Sequence, residues 1–178
     1  MSIHSYEPPS LPANEAAREM AVELSGALHA QDDKILSAIG QEARRQFDAA
    51  IATLSIVHGD AQYVIAADGV SPGIYARRLS FAGHAVASDE DIFSVTDLSQ
   101  DRRFAENPWV NGERGAMRFY AAVLLRDEAG MAIGVLSVLR NRPRDTLIES
   151  ERTMLHAYAS RVMARLAAVR AELLLPAS

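Results

Sequence analysis

The chain contains no cysteine. Without a thiol it can form no disulfide, thiolate metal site or iron–sulfur cluster, and it offers neither a cysteine nucleophile nor a thioether anchor for a chromophore. Lysine is nearly absent: Lys34 is the only one, and 17 arginines make up the rest of the basic side chains. Positive charge is in deficit, 18 basic against 23 acidic residues for a net charge of −5. A protein that neutralises phosphates carries the opposite balance, so nucleic acid is not an expected partner. Long apolar runs are missing too. The longest, Phe119 to Leu125, has seven residues, against the roughly 20 that a membrane-spanning helix needs, and no membrane partner is expected. Residues Met1 to Pro12 carry three prolines but no basic start and no apolar stretch, so no secretory signal is read and the cytoplasm is the expected compartment.

What is present is ordinary globular material. Of 178 residues, 49% are hydrophobic and 23% charged, enough for one domain that buries roughly two thirds of its unfolded surface. After the proline-punctuated lead-in of residues 1–12, Asn14 stands where an N-cap would, and Ala17, Met20, Leu24 and Leu28 keep helical spacing to about Ala30. Asp32 or Asp33 can cap a second helix bearing Ile35, Leu36, Ile39, Ala43 and Phe47. Ala50 to Val57 is β-branched and almost uncharged; His58-Gly59-Asp60 then turns the chain into Ala61 to Ala66, which reads as a hairpin.

Tyr75 to Leu79 fits a short strand, Ser80 caps a brief helix through Ser88, and Asp91 to Leu98 fits another strand. Ser99 to Gly115 is a long structured loop anchored by Phe104, Trp109 and Val110. Ala116 to Arg126 and Met131 to Leu139 are the strongest strands, joined by Asp127-Glu128-Ala129-Gly130 and expected to pair antiparallel. Both alternating sets are apolar: Met117, Phe119, Ala121, Val123 and Leu125 on one face, Tyr120, Ala122 and Leu124 on the other. Such a sheet must be covered twice. Asp145 or Thr146 is expected to cap a terminal helix running to about Leu174. Its stripe of Leu155, Ala159, Val162, Leu166, Val169 and Leu173 keeps a four-three spacing. That stripe fits either packing on the chain's own sheet or, most of all from Leu166 onward, a homodimer interface formed by Leu155, Val162, Leu166, Val169 and Leu173.

Three blocks then point to a family. Ser80-Phe81-Ala82-Gly83-His84-Ala85-Val86, Asp101 to Val110 and Arg118-Phe119-Tyr120-Ala121-Ala122 resemble, in order and spacing, the motif blocks of bacterial GAF domains found with histidine kinases and diguanylate cyclases. The resemblance covers roughly residues 13–166, which are taken as the domain, with 167–178 as helix end and tail. It implies an α+β fold of the GAF/PAS type: a central antiparallel sheet of five to six strands, N- and C-terminal helices packed on one face, and loops plus short helices over the other. A small-molecule pocket is implied under those loops. Where many relatives carry cysteine after Ser-Phe this chain has Ala82, so phytochrome-type bilin attachment has no thiol here. The cysteine-dependent chemistry of free methionine-R-sulfoxide reductases is excluded in the same way. The cyclic-nucleotide signature of the family is not visible either, since Lys34 lies far from any such context.

The ligand-binding set expected from these blocks is Ser80, Phe81, His84, Asp97, Phe104, Trp109, Arg118 and Tyr120. His84 reads first as a core histidine hydrogen-bonded to backbone; contact with an anionic ligand and haem ligation are its alternatives. Arg118 needs a carboxylate, carbonyls or an anionic ligand, and Asp97 and Asp101 are the nominated partners. Trp109, Phe104 and Tyr120 suit either the wall of a half-wet pocket or simple anchoring of the loop. No G-x-S-x-G elbow, phosphate loop, dinucleotide fingerprint or metal-ligand spacing is present, so neither catalysis nor a cofactor is expected. The expected function is a sensory or regulatory domain that binds an unidentified small molecule non-covalently and signals through dimer helices to a downstream protein. The alternative is a GAF fold closed by its own bulky side chains, which dimerises or docks proteins; an empty cavity below about 300 Å³ would favour it.

Overall fold

The computed structural model describes residues 6–88 and 90–177. Six strands form one antiparallel sheet: β1 (Ile51–His58), β2 (Ala61–Asp68), β3 (Gly73–Ala76), β4 (Ile92–Val95), β5 (Phe119–Arg126) and β6 (Ala132–Arg140). Their spatial order is β3-β2-β1-β6-β5-β4, with β1 and β6 at the centre. Helices α1 (Glu15–Ser25), α2 (Lys34–Gln46) and α4 (Glu149–Leu173) pack on one face, and α3 (Phe81–Ala87) with the loop after β4 covers the other. The fold is α+β, as the family resemblance implied, with both faces of the sheet covered.

The sheet is doubly buried because each strand has two apolar sides. Leu54, Ile56, Phe119, Val123, Leu136 and Val138 meet Leu36, Ile39, Leu155, Val162 and Leu166 on the helical side. Tyr120, Leu124, Val135 and Leu139 meet Phe81, Val86, Phe93 and Phe104 on the opposite side. A β-bulge interrupts the pairing of β1 with β2 at Leu54/Ser55. Strand β6 can approach β1 only because position 134 lacks a side chain: a Cβ on Gly134 would lie 2.0 Å from the Ser55 carbonyl oxygen.

Several expectations are corrected. The first helix stops at Ser25, since Gly26 adopts φ 72° and a short 3-10 turn, Ala27–His29, follows. Asn14 makes no side-chain cap; its amide contacts Met131 Sδ at 3.3 Å instead. The buried face of α1 is also offset from the apolar spacing. Met20 and Leu24 are exposed, whereas Arg18 and Val22 are buried. Arg18 tolerates burial because Glu15 grips its Nε and Nη2 at 2.8 and 2.9 Å and the Val57 carbonyl accepts from Nη1 at 2.7 Å. Ile35 on α2 is exposed, while Leu36, Ile39, Ala43 and Phe47 enter the core.

Asp33, not Asp32, caps α2, accepting from the Ile35 and Leu36 amides at 3.0 Å. The extended segment around Tyr75 is Gly73–Ala76, and Arg77–Leu79 is a 3-10 turn. Strand β5 begins at Phe119 rather than Ala116, so Met117 turns onto the α3 side of the sheet. Helix α4 begins at Glu149 with Ile148 in the capping position. Asp145 and Thr146 lie upstream of it, and Glu151 reaches back to accept from the Ile148 amide at 3.0 Å.

The proposed dimer stripe is the largest correction. Leu155, Val162, Leu166 and Val169 are all buried within this chain, in the core formed with α1, α2 and the sheet. A four-three apolar spacing describes packing on a sheet as well as packing on a second helix. Only Leu173 of that set stays exposed, followed by Leu174 and Leu175.

Candidate functional site

The motif blocks converge on one cavity of about 80 Å³ between the sheet and α3. Ser80, at the start of α3, turns its hydroxyl inward to accept from the Gly83 amide at 2.9 Å and thereby orients the helix. Phe81 follows and packs on Tyr120 with ring centroids 5.2 Å apart. Trp109 is held from the loop side. Asn107, buried, donates to the Leu79 carbonyl at 2.9 Å and accepts from the Trp109 amide at 3.0 Å, tying the loop to the segment before α3. The Trp109 ring meets Tyr75 of β3 edge-on at 6.4 Å. These two rings lie on the outer side of the cavity, beside the exposed Arg114.

The floor is polar. On β1 the alternation Ile51, Thr53, Ser55 and Val57 places two hydroxyls on the α3 side of the sheet, opposite to Leu54 and Ile56. Thr53 pairs in register with Ser137 of β6, and their hydroxyls lie 2.7 Å apart. Ser55 donates to Thr53 over a long 3.4 Å, and Gln62 Nε2 donates to Ser55 at 2.8 Å. Tyr120, 2% exposed, ends the row beside Ser137, but its hydroxyl makes no well-formed hydrogen bond. Burial pushes its phenol well above the usual tyrosine range, against a smaller pull from Ser137. The neutral O–H is therefore the form that faces the cavity. Ile51, Val64, Val70, Leu79, Met117 and Leu139 supply apolar walls.

Four of the eight expected ligand residues line this cavity: Ser80, Phe81, Trp109 and Tyr120. The other four do not. His84 points the opposite way, where its Nε2 meets the Glu7 carbonyl at 2.9 Å and its ring stacks edge-on against Phe104. Pro9 crosses the same helix at Gly83, so His84 fastens the lead-in, which is the backbone-bonded reading of this residue. Desolvation, reinforced by Arg103, holds its pKa below the usual histidine value. Phe104 is buried in the core beneath α3.

Arg118 donates to the carbonyls of Val110 and Met117 at 3.0 and 2.9 Å, not to Asp97 or Asp101. Two backbone carbonyls suffice for a half-buried guanidinium, and both nominated acids are engaged elsewhere. Asp101 holds Arg103 through contacts of 3.0 and 2.6 Å, while Asp97 accepts from Ser99. Asp97 borders a different, solvent-open groove of about 520 Å³ with Arg144. That arginine is spent on Glu151, at 2.8 and 2.7 Å. Among the described residues no cluster of acidic or histidine side chains could hold a metal ion.

The residues missed by the sequence reading are Thr53, Gln62 and Ser137 on the floor and Tyr75 and Arg114 near the mouth. Thr53 and Ser55 at alternate positions of an otherwise apolar strand were a usable sign, because buried hydroxyls on one face need partners on a neighbouring strand.

The comparisons with known proteins agree with this architecture. The GAF domain pattern matches residues 33–166. The chain belongs to the GAF domain family. It is 34% identical over 162 residues to a cyclic di-GMP phosphodiesterase of Pseudomonas aeruginosa, a match covering 91% of this chain but 27% of that protein. The chain thus spans about a quarter of that curated relative. Among solved structures, the GAF domain of an Acinetobacter phosphoenolpyruvate-protein phosphotransferase superposes with TM-score 0.62 at 13% identity, covering 94% of this chain and all of that one. The chromophore-binding domain of a bacteriophytochrome from R. palustris gives TM-score 0.61 at 14% identity, over 91% of this chain and 64% of that chain. At such identities the likeness concerns the fold. GAF domains are typically sensory or regulatory. No helix among the described residues is long and apolar enough to cross a membrane.

Proposed function

We propose that this chain is a sensory GAF domain that takes up a compact small molecule between Tyr120 and the Tyr75–Trp109 pair, and that it is not itself a catalyst. The supporting observation is the buried Tyr120 hydroxyl, which lines the cavity without a well-formed hydrogen bond. An unsatisfied buried hydroxyl costs about 1–3 kcal/mol. A phenylalanine would fill the same space without that penalty, whereas a bound acceptor removes it.

Output follows from the double cover of the sheet. Strands β1 and β6 carry Thr53 and Ser137 toward the cavity and Leu54 and Leu136 toward the helices. A ligand that shifts the floor therefore biases how α2 and α4 seat on the other face, a population shift in a two-state packing. The likeness to part of a phosphodiesterase fits a regulatory role toward a signalling protein. Assembly as a homodimer belongs to the same proposal.

One observation favours a second reading. At about 80 Å³ the cavity is far smaller than the roughly 300 Å³ of a drug-sized site, as expected for a module closed by its own side chains. Native mass spectrometry of the purified protein, set against the denatured sample, reports bound mass and subunit count together. It is paired with an NMR fragment screen that follows the indole N–H of Trp109, the only tryptophan. A reproducible added mass, or a fragment that shifts the indole signal saturably, supports the sensor. Bare chains whose indole signal no fragment moves favour the closed module.

A further inference from the structure

The floor of the cavity is a row of paired hydroxyls that leaves one out. Gln62 faces Ser55 through its Nε2, which can only donate. Ser55 is thereby an acceptor there, and its own hydrogen is sent on toward Thr53. The Thr53 and Ser137 hydroxyls are then paired with each other across the 2.7 Å contact, in which either oxygen can donate. The Tyr120 hydroxyl stands outside this row with no hydrogen-bond partner inside the protein, and a phenol donates its hydrogen more readily than its oxygen accepts one.

The remaining lining sets the other limits. Among the described residues that line the cavity, Arg114 alone is charged, and it is exposed. An ion at the floor would lose its hydration with no counter-charge, so a charged head group is disfavoured. The volume, about 80 Å³, leaves room for only a few heavy atoms, and Ile51, Val64, Leu79 and Leu139 offer those atoms apolar contact.

Resting on the small-molecule function proposed above, we infer that the cavity selects a compact, uncharged carbonyl compound whose oxygen accepts the Tyr120 O–H. The selectivity lies in the unpartnered phenol: the site presents a donor, so it discriminates against molecules that are equal in shape but have no acceptor.

Two probes of nearly equal shape test this. Cyclopentanone carries the acceptor; methylenecyclopentane replaces the oxygen by CH₂. Each is titrated into the protein while the Trp109 indole N–H signal is followed. The expected result is saturable binding of the ketone about tenfold tighter than the alkene, the size of one hydrogen bond to an otherwise unsatisfied donor. In Tyr120→Phe, checked for an unchanged amide spectrum elsewhere, the two probes bind alike. Equal binding of both probes to the unaltered protein, or a ketone preference that survives Tyr120→Phe, overturns the inference while leaving a small-molecule site. Binding of neither probe, with the cavity holding water only, overturns the sensor reading and the inference together.

Discussion

The hydroxyls of Thr53 and Ser137 meet at 2.7 Å across the pairing of β1 and β6, at the centre of a sheet whose two faces are otherwise largely apolar. This contact converts part of the α3-side face into a polar floor. Tyr120 stands beside this pair with no hydrogen-bond partner of its own, and the proposal for the cavity rests on that hydroxyl.

Replacing Thr53 by valine keeps the shape and deletes one link of the row. Ser137 and Ser55 are then left in the interior without that partner. The expected loss is about 1–3 kcal/mol in chemical denaturation. Tyr120→Phe is expected to behave oppositely in the ligand-free protein, with a midpoint unchanged or raised, since it removes a hydroxyl that has no good partner.

Glu15 stands between Arg18 and Arg77 and hydrogen-bonds to both guanidinium groups, each of which is almost fully buried. Burial alone would raise its pKa, but the two arginines hold it at about 2. A carboxylate with a depressed folded-state pKa contributes stability that is present above its unfolded value, near 4.5, and is lost as pH falls toward 2. Glu15→Gln leaves two buried cations without an anion and is expected to cost about 3–5 kcal/mol at pH 7. Between pH 5 and 2 the variant is expected to lose less stability than the parent. Urea titrations at a series of pH values measure both effects.

The ends of α4 differ sharply. Leu166 lies 2% exposed in the shared core of helices and sheet, while Leu173 is 52% exposed. Leu166→Ala is expected to destabilise the fold by about 2–5 kcal/mol, and Leu173→Ala to change it by less than about 0.5 kcal/mol. Equal effects in thermal or urea unfolding would place the two residues in the same environment, contrary to the packing described here.

Gly134→Ala sets a Cβ against the Ser55 carbonyl and the Ile56 Cα. Backbone cannot move aside as a flexible side chain would, so β6 must draw away from β1 at the centre of the sheet. A loss of about 3 kcal/mol or more, or recovery only in insoluble form, is expected. Unfolding of any soluble fraction measures it.

The elements that alternate cleanly were legible before the structure. The β1–β2 hairpin, the β5–β6 pair, the Ser80 cap and the second helix each depend on local spacing and a local cap. The misreadings arose where a non-local partner decides the outcome. Arg18 is buried against its apolar neighbours on α1 because Glu15 and the Val57 carbonyl receive it. Arg118 needs no acid because loop carbonyls lie within reach. His84 is held by a lead-in whose path over α3 no periodicity encodes. Half of the expected ligand set lines the cavity, and the hydroxyl floor escaped notice because Thr53 and Ser137, 84 residues apart, join only through strand register.

A high-resolution crystal structure of the protein soaked with the tightest fragment from the Trp109-detected screen tests the central claim most directly. The account predicts that fragment inside the cavity, between the Tyr75–Trp109 pair and the sheet, with an acceptor atom within hydrogen-bond distance of the Tyr120 oxygen. A fragment seated elsewhere on the surface, with only water or collapsed side chains beside Tyr120, would contradict it.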